Sequence, residues 1–214
     1  MKAREGARGR IQRTDLRWEA MKDVISGKEP VWIRADTISA IQQAVSWADK
    51  QKVKAVIVGG QDAPYCANLL KEKNIPVVIL GTLKLPRSRD TEFDEAFTLP
   101  LRLQKAGVKF CIAVGGVEFI RNLPYHAAKA ASYGLPQDEA LKSVTLYPAQ
   151  IIGVENRLGS LEKGKDATLI ITNGDPLEAT TTVEQLYIEG RQIDMSDKHK
   201  NLYEKYRQRY KQGQ

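Results

Sequence analysis

The sequence predicts an α/β fold built on parallel strands, and three observations carry that expectation. Short β-branched runs alternate with longer amphipathic segments between residues 30 and 114. The runs are continuously apolar, as strands covered on both faces require. Strand–helix units recur about every 25 residues, a spacing that suits barrel-type units and an open sheet equally.

Taken in order, VWIR reads as a strand and ISAIQQAVSWADKQK as a helix. VKAVIV is followed by the helical APYCANLLKEKN, IPVVIL by a loop and a helix running through LPLRLQKAG, and VKFCIAV is the fourth strand. Asp36-Thr37 precedes the first of these helices and offers a side-chain oxygen to its free N–H groups. Asn74 and Gly107 fall where helices should end. After Gly116 three short helices are expected near residues 124–133, 137–145 and 148–152. The runs DATLIITNGD and VEQLYIEGRQI then read as strands, with a tight hairpin at Glu189-Gly190. The last twenty residues read as one helix capped by Ser196 or Asp197.

Composition narrows the function. The 214 residues carry a net charge of +7, but residues 30–194 hold 19 basic and 19 acidic groups, so the basic character belongs to the ends. The neutral body argues against nucleic-acid binding, and Tyr203, Tyr206 and Tyr210 form a helical stripe expected to pack on the domain. No apolar run is long enough to span a membrane, and MKAREGARGR lacks the apolar core of a secretory signal. A cytoplasmic location is expected of the chain as written, with secretion of a longer parent left open. Cys66 and Cys111 lie in unrelated segments and read as buried thiols.

The segment LPYHAAKAASYGLPQDEALKSVTLYPAQIIGVENRLGSLEKGKDATLIITNGD resembles the closing part of metal-dependent amidohydrolases of the imidazolonepropionase-like group. Upstream, RWEAMKDVISGKEPVWIRAD resembles that family's entry into its fifth barrel strand. KAVIVGGQDAPY, IPVVILGTLKLPRSRD and AGVKFCIAVGG resemble its sixth, seventh and eighth strands. The resemblance implies the C-terminal half of a (β/α)8 barrel over residues 30–153, strands of a small β-sandwich over 154–194, and a basic terminal helix over 195–214. Residues 1–29 form a basic lead-in segment and helix. It also implies hydrolysis of C–N bonds with Zn²⁺-like ions held at the C-terminal ends of strands.

At those positions the residue types depart from the pattern. The family's first-strand H-x-H would precede Met1. The fifth-strand histidine falls on Arg34, a permanent cation, the sixth-strand histidine near Gly59, and the eighth-strand aspartate on Gly115 or Gly116. The two histidines are His126, expected on a helix surface or half-buried, and His199 in the basic tail. Asp36, Asp62 and Glu118 are the remaining carboxylates near the strand ends, hard ligands suited to Mg²⁺ or Ca²⁺. Each has a plainer role: Asp36 and Asp62 as helix caps, Glu118 as a loop residue. Arg34 is expected to pair with Asp36. Gly59-Gly60 and Gly115-Gly116 read as tight turns, since neither has phosphate-loop spacing. Lys163, Lys165 and Asp166 belong to a structural turn in which Asp166 bonds local backbone.

The expectations that follow are three. The leading one is an amidohydrolase-superfamily protein without its metal ligands, hence no metal cofactor in this chain, acting as a partner or binding subunit or as part of a degenerate barrel. The second is a metal-dependent C–N hydrolase whose H-x-H half comes from an upstream segment or a partner chain. The third, a basic nucleic-acid- or membrane-surface protein, is disfavoured by the neutral body. A half barrel exposes a sheet edge and an apolar inner face, so a second chain or self-association is expected to complete it. A small-molecule ligand is compatible with the pocket.

Overall fold

A computed structural model of the chain describes residues 15–212, so the basic lead-in at residues 1–14 lies outside the described residues. The first elements are two short helices, α1 (Leu16–Ala20) and α2 (Lys22–Ile25), where one helix was expected. Four strand–helix units follow: β1 (Val31–Ala35) and α3 (Ile38–Gln51), β2 (Ala55–Gly59) and α4 (Ala67–Glu72), β3 (Val77–Leu80) and α5 (Glu95–Ala106), then β4 (Phe110–Ala113). The strands pair in parallel in the order β1-β2-β3-β4, with Arg34 beside Val58, Val58 beside Val78 and Val78 beside Cys111. Among the described residues β1 and β4 are paired on one side only.

Alternation along these strands divides the sheet into two faces. Ile33, Ile57, Val77, Ile79, Phe110 and Ile112 turn toward the helices, where Ile41 and Val45 of α3, Leu70 of α4 and Leu99 and Leu103 of α5 complete the core. Each fully buried Ile or Leu contributes roughly 1.5–3 kcal/mol of transfer free energy. Val56, Val78 and Cys111 lie on the opposite face beneath Tyr147 and Ile151. On that face β1 leaves Trp32 49% exposed.

The helix ends follow the expected chemistry with one exchange of roles. Thr37, not Asp36, is the N-cap of α3, accepting from the Ala40 N–H at 3.3 Å. Asn74 has φ +51 just beyond α4, and Gly107 ends α5 with φ +71. The APYC part of the segment expected to be wholly helical is a 3-10 turn, Ala63–Cys66.

After a second 3-10 turn (Val117–Asn122) come α6 (Leu123–Ser132), α7 (Gln137–Ser143) and α8 (Leu146–Ile152). A three-stranded antiparallel sheet follows: β5 (Leu169–Thr172), β6 (Val183–Ile188) and β7 (Arg191–Gln192). Its hairpin turns at Glu189 and Gly190, both at positive φ, as a two-residue turn of matching twist demands. Asp166 pairs with Arg157 at 2.6 Å, so its carboxylate does not serve the local backbone as expected. In the same turn Lys165 reaches Ser160 and Glu162.

The chain closes with α9 (Lys198–Gln212), whose first N–H groups are taken by the Asp197 carboxylate. Its tyrosine stripe is not packed on the domain: Tyr203, Tyr206 and Tyr210 are exposed. With a polar or charged residue at nearly every other position, α9 has too narrow an apolar face to be drawn onto the body. No helix among the described residues is long and apolar enough to cross a membrane.

Candidate functional site

In a parallel α/β sheet, ligands meet the loops at the C-terminal ends of the strands. Four loops converge there: Asp36-Thr37 after β1, Gly60 to Asp62 after β2, Gly81 to Arg87 after β3, and Gly115 to Glu118 after β4. A larger cavity of about 700 Å³ opens at the other end of the strands, between Pro30, Pro76, Lys109 and Tyr147. Its place at the N-terminal strand ends sets it apart from the chemistry of such sheets.

Asp36 and Gly59 are fitted to one another. Gly59 has φ +103, and a Cβ built there would stand 2.3 Å from Oδ1 of Asp36. The Asp36 carboxylate therefore occupies the side-chain space of position 59. Gly60, also at positive φ, would meet Val77 at 2.4 Å; it donates its N–H to the Ala35 carbonyl of the neighbouring strand, and its own carbonyl accepts from the Ala63 N–H at 3.0 Å, closing the tight turn expected there. Arg34 lies two residues before Asp36 on the inner face, but no ion pair joins them, nor is either side chain hydrogen-bonded among the described residues. Strand alternation would put the two on one face, but β1 ends at Ala35 and the Asp36 carboxylate folds over Gly59 instead.

Asp62 does not cap the turn that follows it. One carboxylate oxygen takes the N–H of Ile38 at 3.2 Å, and the other takes Arg87 at 2.8 Å. Arg87 also reaches Glu95 at 2.9 Å, and these partners, Glu95 first, raise its already high pKa. This network ties the loop after β3 to the loop after β2. The Glu118 carboxylate is exposed and curls back over Gly116, where a Cβ would come within 2.6 Å of Oε1. Around Gly115 a Cβ would meet nothing within 4 Å.

The sequence reading missed the partners of one residue and the whole of a second. His126, expected on a helix surface or half-buried, is buried at 7% exposure. Its Nδ1 accepts from the backbone N–H groups of Thr82, at 2.9 Å, and Leu83, at 3.1 Å, while the Thr82 hydroxyl donates to the His126 carbonyl at 2.8 Å. Accepting two donors keeps Nδ1 unprotonated, so the proton of the neutral ring sits on Nε2. Burial, helped by nearby Lys84, lowers the His126 pKa. Gly81, at φ +81, lets this imidazole approach, since a Cβ would lie 2.9 Å from Cε1. Lys84 is the second. Burial lowers its pKa; Asp36 opposes that shift and Arg34 reinforces it, which brings all three charges to one region. Nothing in the spacing of Gly81, Lys84 and His126 announces a pairing made across 44 residues.

The two cysteines are buried and unpaired, as expected. Burial pushes the Cys111 thiol up to about 12, and burial together with Asp62 raises that of Cys66. At pH 8 a disulfide-exchange reagent should modify neither thiol rapidly in the native protein and both in denaturant, since the thiolate is the reactive form. A fast native reaction at Cys111 would contradict its placement under Tyr147 and Ile151. Among the described residues no three His, Cys, Asp or Glu side chains are grouped to share a metal ion. His199 is exposed on α9, far along the chain from the strand ends.

Residues 35–193 match the family model described as Amidohydrolase family. The chain belongs to that family. It is similar to an amidohydrolase from Thermotoga maritima, with a TM-score of 0.78 and 31% identity over 86% of this chain and 48% of that one. Among curated proteins it resembles the amidohydrolase tasK of Hapsidospora irregularis, 42% identical over 64 residues, which are 30% of this chain and 6% of the relative. An N-acetylglucosamine-6-phosphate deacetylase from Danio rerio is 38% identical over 60 residues, 28% of this chain and 14% of the relative. The chain thus spans about half of the solved amidohydrolase and a small part of each curated relative. The four parallel strands correspond to part of an amidohydrolase barrel, as the resemblance implied.

Proposed function

We propose that this part of the amidohydrolase barrel contributes a ligand-binding wall and no metal ligands, so that the chain acts as a binding or partner element of the family. The observation that carries the reading is the Asp36 carboxylate standing 2.3 Å from where a Gly59 side chain would begin. The residues present at the strand ends do not fit a zinc-like ion. Arg34 stands where the family resemblance puts an imidazole, Lys84 adds a second cation, and Nδ1 of His126 is engaged with two backbone N–H groups. An imidazole ligand needs a free lone pair, and a cation beside the ion repels it.

A completing set of strands belongs to the same proposal, whether carried by an upstream segment, a second chain or another copy. The single-sided pairing of β1 and β4 and the half-exposed Trp32 support it, because such edges and faces invite pairing. Elemental analysis and native mass of the protein purified from its source, with any chain that accompanies it, test both parts. Zinc at background and a native species larger than this chain alone are expected. About one zinc or more per complex would replace this reading with that of a C–N hydrolase whose ligands come from the completing strands. The named activities of the amidohydrolase and deacetylase relatives favour that second reading. A native mass equal to this chain alone would remove the closure.

A further inference from the structure

The loop after β3 opens with a segment fastened mainly by one side chain. Leu83 is 48% and Leu85 90% exposed, so neither anchors it by burial. Thr82 is fully buried, and its backbone N–H, its hydroxyl and the N–H of Leu83 all end on His126. Further along, Arg87 fixes the loop a second time through Asp62 and Glu95. Residues 82–86 thus form a short flap between Gly81, at φ +81, and an arginine clamp. Gly81, Lys84, Leu85, Pro86 and Arg87 help to wall a cavity of about 20 Å³, room for about one water. Gln61 shares that wall, and its Oε1 is buried with no hydrogen-bond partner among the described residues.

Nδ1 of His126 can accept two N–H groups only while it carries no proton. A proton there turns the shared acceptor into a donor aimed at two donors, and both bonds are lost together. The bond from the Thr82 hydroxyl to the His126 carbonyl does not depend on that proton. The charged group that acts on the ring is Lys84 of the flap itself, which opposes protonation and moves away when the flap lifts. β4 carries no charged residue, and the acids of the other elements beside α6 are engaged elsewhere: Glu95 of α5 with Arg87, Glu139 of α7 with Lys142, and Glu118 of the 3-10 turn over Gly116. On α6 itself Lys129 lies over the rings of Phe97 and Tyr133.

We infer that His126 is a pH-sensitive latch on this flap: the neutral imidazole holds residues 82–86 against the Gln61 cavity, and a proton on Nδ1 releases them while Arg87 keeps the far end of the loop in place. The latch goes beyond the reading above and does not depend on whether the strand ends hold a metal ion. Release lets water reach Oε1 of Gln61 and carries Lys84 away from its half-buried place, so the shape and charge of the strand ends change with pH.

Amide hydrogen exchange of the full protein, read at about pH 7.5 and about pH 5 and corrected for the intrinsic rate, tests the latch. The Thr82 and Leu83 amides are expected to exchange about tenfold faster at the lower pH, with about thirtyfold as the limit for one proton taken up near the ordinary 6.5. The rise should be the same with and without about 1 M urea, because a local opening exposes little surface, whereas global unfolding is favoured by urea. His126→Asn keeps an acceptor in the place of Nδ1 that does not titrate, and should hold the flap at both pH values. His126→Leu should release it at both. The other histidine, His199, is exposed on α9, and His199→Gln should change nothing. Equal protection of Thr82 and Leu83 at both pH values in the wild type, a pH effect that persists in His126→Asn, or one that grows with urea as global unfolding does would each overturn the latch. Should His126→Asn not fold, the nitrogen resonances of the wild-type ring decide. The Nδ1 signal must titrate in step with the exchange of Thr82 and Leu83, and exchange that rises without that titration sinks the assignment.

Discussion

Replacing His126 by leucine is expected to lower stability by about 2–4 kcal/mol, because the N–H groups of Thr82 and Leu83 lose their shared acceptor and each unpaired buried donor costs about 1–3 kcal/mol. Leucine nearly conserves the volume, so the loss reports the hydrogen bonds more than a cavity. In a domain of this size the melting temperature should fall by roughly 5–15 °C.

The pH dependence gives a second signature. His126 is neutral in the fold, and its pKa lies below the ordinary 6.5 that the unfolded chain restores. Between those two values the unfolded state binds the extra proton, so stability is complete above about pH 6.5 and falls as the pH drops toward the folded pKa. The slope there is bounded by about 1.4 kcal/mol per pH unit, the limit for one proton. Protonation would also aim an N–H of Nδ1 at two other N–H groups. Urea unfolding of both proteins at pH 7.5 and pH 5 checks this: the stability gap between wild type and His126→Leu should narrow at pH 5. A gap that holds constant across that range would show that the imidazole does not act through Nδ1.

The same histidine marks how far the sequence could be read. The strand–helix alternation was legible because burial on both faces of a parallel sheet leaves continuous apolar runs, and VKAVIV, IPVVIL and VKFCIAV fall on β2, β3 and β4. Helix ends were legible wherever the backbone demands a special residue, as at Gly107 and at the Glu189-Gly190 turn. Side-chain partners were not. Asp36 looked like a cap and Arg34 like its ion-pair partner, yet Thr37 caps α3 and the Asp36 carboxylate turns over Gly59. The reason is physical: a cap competes locally for N–H groups already in reach, whereas Asp36, Lys84 and His126 find their surroundings only after β1, β2, β3 and α6 have docked. The α9 stripe failed for the opposite reason. Helical periodicity was present, but periodicity states which residues share a face and not whether anything covers it.

Gly59→Ala carries the other large expectation, a loss of about 2–4 kcal/mol with two separable origins. The φ of +103 is strained for any residue with a Cβ, and the new methyl would meet the Asp36 carboxylate at 2.3 Å. Asp36→Ala removes the second cause and leaves the first. A double-mutant cycle should therefore return a coupling of about 0.5–3 kcal/mol between positions 36 and 59, with Gly59→Ala costing less in the Asp36→Ala background. Additive losses would mean that the carboxylate does not lie over the glycine. The same geometry predicts that Gly59→His creates no zinc site. The imidazole would have to displace Asp36 from a strained backbone and settle beside Arg34 and Lys84, so every step toward the ion is uphill. Zinc binding by Gly59→His at one equivalent, measured by calorimetry, would overturn the view that these strand ends do not fit a zinc-like ion.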